Sequence, residues 1–570
     1  MMNDLNFLQN IRLIQGGMGV YVSNWKLAKS VSLTKPGRTV GTISGTALDV
    51  VYARLLQLGD PGGHIKKAFG AFDQAFNTNI GKEIYTNYYI AGGKRPDERF
   101  KYVPRINPKP ANGLPGFPIE QAGIYTLKLD EELIKLLILV GFAETWLAKQ
   151  GHNGLIFINF LHKIETPLMY VLYGAMLASI DGVIVGAGNP DGLPQMCSML
   201  ANHQDVQIEL NVLYKEAGEK FVLPFCPKDI DEGKLTTKPL KRPTFLAIVS
   251  LHDLAIALSK SSSLPPDGFV IENYRAGGHN ANPVEGIFKK DALGQPLYGE
   301  KDIANLEVIK GLNLPYWLGG GYGNGLKLKE ALETGANGVQ VGSLFALCEE
   351  SGMRSEHKAA IFQELKKGKD DISIVRTTMY SPTGFSFKVA LLEGTLADKE
   401  VYENRNRTCD IGLLHQFGLS KPDESKMRKM FQRCPAAPVN GFIKNRGIER
   451  NTEEKRCLCN GLLAAVGLPQ VAKDVNGNAM DEPSIVSLGE NLQGIRELSR
   501  NGQIHYSCAD VIDYITGDAS SNLEDSSKNI FTLIDTNNPI NKIYNLGLHS
   551  VAANEYLAKY PKKRELNISN

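Results

Sequence analysis

Two successive apolar segments in the middle of the chain each end at a glycine turn that leads into a helical segment. The first segment, at 315–318, stops at the glycines of 319–321, and the second, at 338–341, stops at 342–343. Two strands joined by a helix in this way form a unit of parallel sheet. Glycines let backbone N–H groups approach a ligand closely, and helix N-termini favour anions. The two turns therefore predict a phosphate-binding edge, although such glycines could also serve only as tight turns.

Six further apolar strands precede this unit, and a helical or helix-like segment follows each of them. They lie at 12–14, 39–43, 155–160, 182–185, 245–249 and 268–272. Eight such repeats predict an α/β protein with a closed (β/α)8 TIM barrel, whose phosphate site follows strands seven and eight. A competing strand at 84–90 makes the third strand the weakest assignment. An open doubly wound sheet is disfavoured because no G-x-G-x-x-G follows the first strand.

The helix between the last two strands has clear signals at both ends. Asn324 is a suitable N-cap residue, and Gly335 suits the position just after the helix. Helical spacing predicts an apolar face made of Leu326, Leu328, Ala331 and Leu332.

The barrel pattern is interrupted twice and then ends. We predict a barrel domain at 1–365 with insertions at about 46–150 and 207–243, followed by a C-terminal extension at 366–570 of mixed helical and irregular structure. The last fifty residues are polar enough to predict weak structure in part.

Composition excludes several classes of protein. Lys and Arg number 63 against 61 Asp and Glu, and no long basic run is present, so a nucleic-acid partner is not indicated. The most apolar run, at 133–148, contains Lys135 and Glu144 and is too short to span a bilayer. The N-terminus lacks the features of a signal peptide, and eight cysteines in 570 residues do not form a disulfide framework. We therefore expect a cytoplasmic protein without a membrane partner.

Four cysteines of the extension form a separate group: Cys409, Cys434, Cys457 and Cys459. A tetrathiolate zinc or iron–sulfur site needs four such ligands. A single C-x-C with two distant cysteines lacks the paired C-x-x-C segments of common zinc sites. The spacing therefore favours scattered buried thiols, and metal binding is left open.

Glycine-rich clusters recur at the predicted strand ends: 15–19, 186–190, 276–279 and the two turns described above. Their order resembles the nitronate monooxygenase family and its relatives, the flavin-dependent enoyl-acyl-carrier-protein reductases. Asn159 lies on the strand before the second cluster, and Glu272 lies seven residues before His279. The resemblance covers roughly 11–355, and it implies an FMN-binding TIM barrel that acts as an oxidoreductase.

The resemblance also implies roles for individual residues. Those expected to contact the flavin ring are Gly17, Met18, Asn159, Ala187 and Gly278, and those expected to hold the FMN phosphate are Gly320, Gly321, Gly342 and Ser343. His279 is the candidate catalytic residue, because a histidine with a pKa near neutrality at a strand end can act on a flavin-bound substrate. The alternatives are a hydrogen-bonded core amide for Asn159 and a turn-capping role for His279.

The reaction implied by the resemblance is oxidation of an anionic carbon acid, such as an alkyl nitronate, by O2. The alternative enzyme is an NAD(P)H-dependent enoyl-thioester reductase on the same barrel. A third hypothesis is a flavin-free barrel that serves as a scaffold or binding subunit. The physiological substrate, the choice of NADH or NADPH and the formation of a homo-oligomer are left open.

Overall fold

Eight parallel strands close into one barrel in the computed structural model of this protein, which confirms the predicted fold. In chain order the strands are β1 (Leu13–Gln15), β2 (Thr39–Ser44), β3 (Leu155–Leu161), β4 (Gly182–Gly186), β5 (Thr244–Val249), β6 (Gly268–Glu272), β7 (Tyr316–Gly319) and β8 (Gly338–Val341). Each strand pairs in parallel with the next, and β8 pairs with β1 to close the barrel. The structure describes residues 5–119, 123–261, 263–287, 289–499 and 505–517.

The interior of the barrel is filled by one compact group of apolar side chains. They are Leu8, Ile11, Ile14, Val40, Phe157, Ile184, Leu246, Val270 and Trp317. Strand side chains alternate between the two faces, so the residue two positions further along a strand also faces inward. That next layer contains Gly16, Thr42, Asn159, Gly186, Ile248, Glu272 and Gly319. Three of these seven residues are glycines, so the layer leaves open space at the C-terminal rim.

Helices surround the barrel and follow its strands. They are Trp25–Thr34, Leu48–Gln57, His64–Phe76, Ile80–Tyr88, Glu131–Lys149, Glu165–Leu177, Leu193–Ala201, His252–Ser259, Leu306–Lys310, Gly325–Glu333 and Ser343–Leu347. The competing strand at 84–90 is wrong, because Ile80–Tyr88 is a helix that buries Ile80, Ile84 and Tyr88 on one face. The third barrel strand is instead β3, which follows the first insertion.

The helix Gly325–Glu333 has the predicted cap and a narrower apolar face than predicted. Asn324 Oδ1 accepts a hydrogen bond of 2.8 Å from the backbone N–H of Lys327. Leu328 and Ala331 are buried, whereas Leu326 and Leu332 are exposed. The predicted four-residue face was too wide, because this short helix touches its neighbours along one narrow stripe.

The C-terminal extension is joined to the rest of the molecule by mixed sheets. The helix Ser355–Lys366 leads into it, and its own helices are Asp371–Ile374, Lys399–Glu403, Val439–Lys444, Leu458–Ala465, Gln493–Leu498 and Cys508–Thr516. Three of its strands pair with strands outside the extension: Ser386–Ala390 with Gly278–Asn280, Gln416–Leu419 with Val212–Leu213, and Met427–Arg428 with Phe117–Pro118. Within the extension, Ser386–Ala390 also pairs with Val375–Thr378, and Gln416–Leu419 also pairs with Met430–Arg433. Hydrogen bonds therefore connect the extension to each of the other parts of the chain.

The remaining elements are short. The two insertions share a sheet of Lys109–Pro110, Ile124–Lys128, Lys220–Phe225 and Val206–Glu209, and the extension has a hairpin of Val471–Lys473 and Ala479–Asp481. The 3-10 segments are Leu5–Asn10, Pro227–Thr236, Glu300–Asp302 and Glu449–Thr452. Within the described ranges, none of the helices has the length and apolar character needed to cross a bilayer. The last fifty residues, with their expected weak structure, lie outside the described residues.

Candidate active site

A cavity of about 240 Å³ lies at the C-terminal rim of the barrel, above the layer of glycines. All ten residues that the resemblance singled out line it: Gly17, Met18, Asn159, Ala187, Gly278, His279, Gly320, Gly321, Gly342 and Ser343. The extension forms much of the opposite wall, which includes Phe387, Leu414, Leu458, Leu462 and Leu488. The barrel therefore supplies the predicted residues, and the extension supplies an apolar cover that the sequence pattern did not indicate.

The turn after β1 is fixed by hydrogen bonds and by close packing against Asn159. Ser23 Oγ accepts a hydrogen bond of 2.9 Å from the backbone N–H of Met18. A Cβ atom at Gly17 would lie only 2.3 Å from Cβ of Asn159, so only glycine fits there. Asn159 Nδ2 donates to the backbone carbonyl of Ile184 at 3.2 Å. Its Oδ1 accepts no hydrogen bond from a described residue, so a bound molecule can use it as an acceptor.

His279 is held at the cavity wall by partners from the extension. Its strand pairs with Ser386–Ala390, its Nε2 lies 2.7 Å from Ser381 Oγ, and its ring meets Phe387 edge-on. Burial, reinforced by the positive charge of Lys163, lowers the pKa of His279 to about 4. The expected pKa near neutrality was therefore wrong, and the imidazole is neutral at pH 7. The ring can bind or orient a substrate through Nδ1, for which the described residues provide no partner.

Glu272 is a second titratable group in the cavity. It ends β6 and faces inward, two residues beyond Val270 of the barrel interior. Burial raises the pKa of this carboxyl to about 7, so it can hold or release a proton at neutral pH. The sequence analysis used Glu272 only for its spacing of seven residues from His279. Because strand side chains alternate, its position two residues after Val270 could have shown that it faces the cavity.

Gln340 brings an unused polar atom to the same cavity. It lies on β8 and lines the cavity, and it is buried. Its Oε1 has no hydrogen-bond partner among the described residues. A buried amide oxygen without a donor is costly, so this atom is suited to accept a hydrogen bond from a bound molecule. The sequence placed Gln340 on a strand without assigning it a role.

The turns after β7 and β8 form the predicted phosphate edge of the cavity. Gly320 and Gly321 have φ values of +83° and +94°, a conformation that glycine adopts readily. Ser343 Oγ accepts a hydrogen bond of 2.8 Å from the backbone N–H of Gly489, which belongs to the extension. Arg275 lies beside Gly321 and brings a positive charge to this side of the cavity. The edge thus offers glycine backbone, a hydroxyl group and one cation.

Comparison with known proteins identifies a related segment that covers the last four barrel strands and the start of the extension. Residues 239–383 match the family model described as nitronate monooxygenase. A protein named nitronate monooxygenase from Pseudomonas aeruginosa is 33% identical over 95 residues, which are 17% of this chain and 25% of that protein. The chain therefore aligns with about a quarter of the length of this relative.

Two solved structures resemble the chain over most of its length. FabK from Thermotoga maritima has 13% identity and a TM-score of 0.39, with 90% of this chain and 94% of FabK covered. Nitroalkane oxidase from Streptomyces ansochromogenes has 12% identity and a TM-score of 0.38, with 90% and 96% covered. Because both TM-scores are below 0.5, the fold is assigned from the strand pairing of the closed barrel alone. The segment match confirms the predicted resemblance, and residues 239–383 relate this chain to the nitronate monooxygenase family.

Proposed function

We propose that this chain is an FMN-dependent oxidoreductase that acts in the cavity at the barrel rim. The observation that carries the proposal is the buried Gln340 Oε1, which has no hydrogen-bond donor among the described residues. It belongs to the cavity lined by the ten residues that the resemblance to nitronate monooxygenases singled out. The relation of residues 239–383 to nitronate monooxygenases supports the same class of reaction.

The lining of the cavity fits the parts of FMN. Gln340 Oε1 and Asn159 Oδ1 are free to accept hydrogen bonds from the N–H edge of the ring. The backbone of Gly17 and Met18, together with Ala187 and Gly278, would border the ring. The residues that would hold the phosphate are Gly320, Gly321, Gly342 and Ser343, with Arg275 as a nearby cation. When bound, FMN supplies an electron acceptor that O2 can reoxidise.

Glu272 and His279, which both line the cavity, would convert a bound nitroalkane to its anionic form. Glu272 in its carboxylate form takes the proton from the carbon next to the nitro group, and the electron pair of the broken C–H bond stays on the substrate as a nitronate. Neutral His279 orients the substrate by a hydrogen bond through Nδ1, because Ser381 already engages Nε2. The leucines of the extension exclude water from the other side.

A second candidate function is supported by the apolar wall of the cavity. Leu414, Leu458 and Leu462 form a surface suited to the acyl chain of an enoyl thioester. In that case NAD(P)H would supply the electrons, a hydride would add to the β-carbon of the enoyl thioester, and Glu272 would give its proton to the α-carbon.

The two functions can be separated with the purified protein. FMN content is measured by absorption and mass spectrometry, and flavin reduction is followed with NADH and NADPH in the absence of air. The main proposal expects rapid turnover of alkyl nitronate under air, and the alternative expects reoxidation by crotonyl thioester. A colourless protein that takes up no FMN would contradict both and would favour the scaffold hypothesis.

A further inference from the structure

Two hydroxyl groups of the extension form a chain that begins at His279. Ser381 Oγ lies 2.7 Å from His279 Nε2, and Thr383 Oγ1 lies 2.7 Å from Ser381 Oγ. The backbone N–H of Thr383 also donates to Ser381 Oγ, at 3.2 Å. Ser381 is fully buried, whereas Thr383 is partly exposed. The chain therefore leads from the cavity wall toward the surface of the extension.

The loop 379–385, which carries both hydroxyl groups, is tied to the strand that carries the imidazole. The strand that follows the loop pairs with Gly278–Asn280. Asn282 Oδ1 accepts a hydrogen bond of 2.7 Å from the backbone N–H of Ser386, and Asn282 Nδ2 donates to the carbonyl of Gly384 at 3.1 Å. These hydrogen bonds fix the hydroxyl groups relative to the imidazole ring.

The other side of this loop borders a second, smaller cavity. Its volume is about 10 Å³, which is about the space that one water molecule requires. It is lined by Pro382 together with Cys409, Cys434, Cys457 and Cys459. The expectation of scattered thiols was therefore wrong, because the fold brings all four to one point. Among the residues that the structure describes, no group of His, Cys, Asp or Glu is arranged to hold a metal ion. The small cavity leaves the loop little space to move.

The hydrogens along the chain of hydroxyl groups bear on which nitrogen of His279 carries a proton. Burial lowers the pKa of His279 to about 4, so at pH 7 the ring is neutral and only one nitrogen is protonated. A hydroxyl oxygen has two acceptor positions and one hydrogen. The N–H and O–H groups of Thr383 can fill both acceptor positions of Ser381, which directs the hydrogen of Ser381 to Nε2. Nε2 is then an acceptor, and Nδ1 carries the proton.

The opposite tautomer also satisfies the hydroxyl groups, but it does not suit the candidate substrates. With the proton on Nε2, Nδ1 would be an acceptor. Nitro groups and thioester carbonyls offer oxygen acceptors, so two acceptors would then meet without a hydrogen between them. Both candidate reactions also build negative charge on such an oxygen, as a nitronate or an enolate. An N–H donor at that oxygen stabilises the transition state.

We propose that Ser381 and Thr383 are positioning residues, which hold His279 in the tautomer with the proton on Nδ1. His279 then donates a hydrogen bond from Nδ1 to the substrate oxygen on which negative charge develops. The ring keeps its proton throughout, and proton transfer at carbon is left to Glu272. This inference rests on the proposed function for the identity of the substrate, whereas the tautomer can be measured without substrate.

Nitrogen NMR of the full chain, labelled with nitrogen-15 in its histidine side chains, tests the tautomer. The His279 signals are identified by their loss in His279→Gln. At pH 7 we expect the chemical shift of a protonated nitrogen for Nδ1 and of an unprotonated nitrogen for Nε2. Ser381→Ala and Thr383→Val should each move both shifts toward those of the opposite tautomer, because Nε2 loses its donor or Ser381 gains a free acceptor position. Thr383→Ser keeps the hydroxyl group and should keep the wild-type shifts. A proton on Nε2 in the wild type, or unchanged shifts in both Ser381→Ala and Thr383→Val, would overturn the proposal.

The matched control is a second pair of hydroxyl groups with the same local geometry. Ser261 Oγ and Ser263 Oγ are 2.7 Å apart, and the backbone N–H of Ser263 donates to Ser261 Oγ at 3.1 Å. This pair lies outside the cavity lining. Ser263→Ala should leave the nitrogen shifts of His279 and the turnover unchanged. A change as large as that of Thr383→Val would contradict a specific role for the pair beside His279.

Turnover then tests whether the Nδ1–H donor serves the reaction. Rates with nitroethane under air and with crotonyl thioester are expressed per bound FMN, which is measured for each variant. We expect Ser381→Ala and Thr383→Val to lower kcat about tenfold or more with little change in KM, because the donor acts mainly on the transition state. Thr383→Ser should restore kcat, and equal rates for Thr383→Val and Thr383→Ser would overturn the role in turnover. A wild-type protein that turned over neither substrate would contradict the proposed function, while the nitrogen shifts would still decide the role of the two hydroxyl groups.

Discussion

Among single residues, Glu272 gives the cavity a carboxyl group that is about half protonated at neutral pH. Burial raises its pKa to about 7, so activity that depends on its carboxylate should rise with pH through that value. Glu272→Gln should lower kcat/KM for a neutral nitroalkane by about 10²-fold or more and remove this inflection. Turnover of the preformed nitronate should change much less, because no proton then has to be removed. An unchanged pH profile would contradict the role of Glu272.

The same carboxyl group should affect stability in a pH-dependent way. Its pKa is 4.5 in the unfolded chain and about 7 in the folded protein, so between these values only the unfolded state releases the proton. The contribution of Glu272 to the free energy of unfolding therefore falls as pH rises from 4.5 to 7. At pH 8 Glu272→Gln should be more stable than the wild type by about 2–3 kcal/mol, and at pH 4 the difference should vanish. Urea unfolding measures both values, with the exposed Glu333→Gln as control.

Gly17 tests the close packing beneath the proposed flavin ring. An alanine Cβ at this position would overlap Cβ of Asn159, at 2.3 Å, so the turn after β1 must shift. We expect Gly17→Ala to weaken FMN binding at least tenfold, measured by fluorescence titration. The control is Gly70→Ala on the exposed face of the helix His64–Phe76, where an added Cβ contacts nothing within 4 Å. That change should leave FMN affinity unaltered and stabilise the helix by about 0.5–1 kcal/mol. Equal FMN affinities in both variants would contradict the predicted ring position.

The site residues show which chemistry the sequence can and cannot reveal. His279 and the glycine turns were found because strand ends of a barrel meet at one rim, whatever their separation along the chain. The lowered pKa of His279 was missed, because it depends on burial and on Lys163, which is distant in sequence. Gln340 was missed as a polar lining residue because a glutamine on an apolar strand has no motif of its own.

Among structural elements, the strand Ser386–Ala390 connects the extension to the strand Gly278–Asn280, which carries His279. Its Lys388 side chain is 1% exposed and forms a salt bridge with Glu490, which also lies 3.4 Å from Arg275. Lys388→Met should lower the free energy of unfolding by about 1–3 kcal/mol, because Glu490 keeps Arg275 as its remaining partner. Lys327→Met, which breaks an exposed helix pair with Glu330, should change it by less than about 1 kcal/mol. Equal effects in chemical denaturation would contradict this role for Lys388.

The elements of the barrel were predictable because their residues alternate or repeat at regular spacing. Part of the cavity wall from the extension was not, since it comes from a short strand and from loops such as the segment at 487–491. Those segments are too short to show a period of 2 or 3.6 residues. The error at 84–90 has a similar cause, because a short aromatic and β-branched run fits both a strand and a buried helix.

At the scale of the whole molecule, the predicted boundary near 365 separates segments that are closely joined in space. Buried Arg428 of the extension binds buried Glu219 of the second insertion, with Nη1 3.0 Å from Oε2. Arg54 in the first insertion reaches the backbone carbonyl of Leu468 at 2.6 Å. Arg54 also pairs with Asp410 of the extension. Removing one partner of a buried ion pair costs about 3–5 kcal/mol, so the barrel without the extension would carry two such defects, at Glu219 and Arg54.

We therefore expect the barrel and the extension to unfold as one unit. Calorimetry of the full chain should show a single transition, and Arg428→Met should shift that transition to lower temperature without splitting it. A chain ending at residue 365 should be insoluble or lack a cooperative transition, because the leucine wall of the cavity is missing, Glu219 loses its arginine partner and Arg54 loses Asp410 and the Leu468 carbonyl. The expectation would fail if the shortened chain were soluble and melted at the temperature of the full chain. It would also fail if the full chain showed an early transition that left FMN bound, because the extension would then be a separate domain placed on an independent barrel.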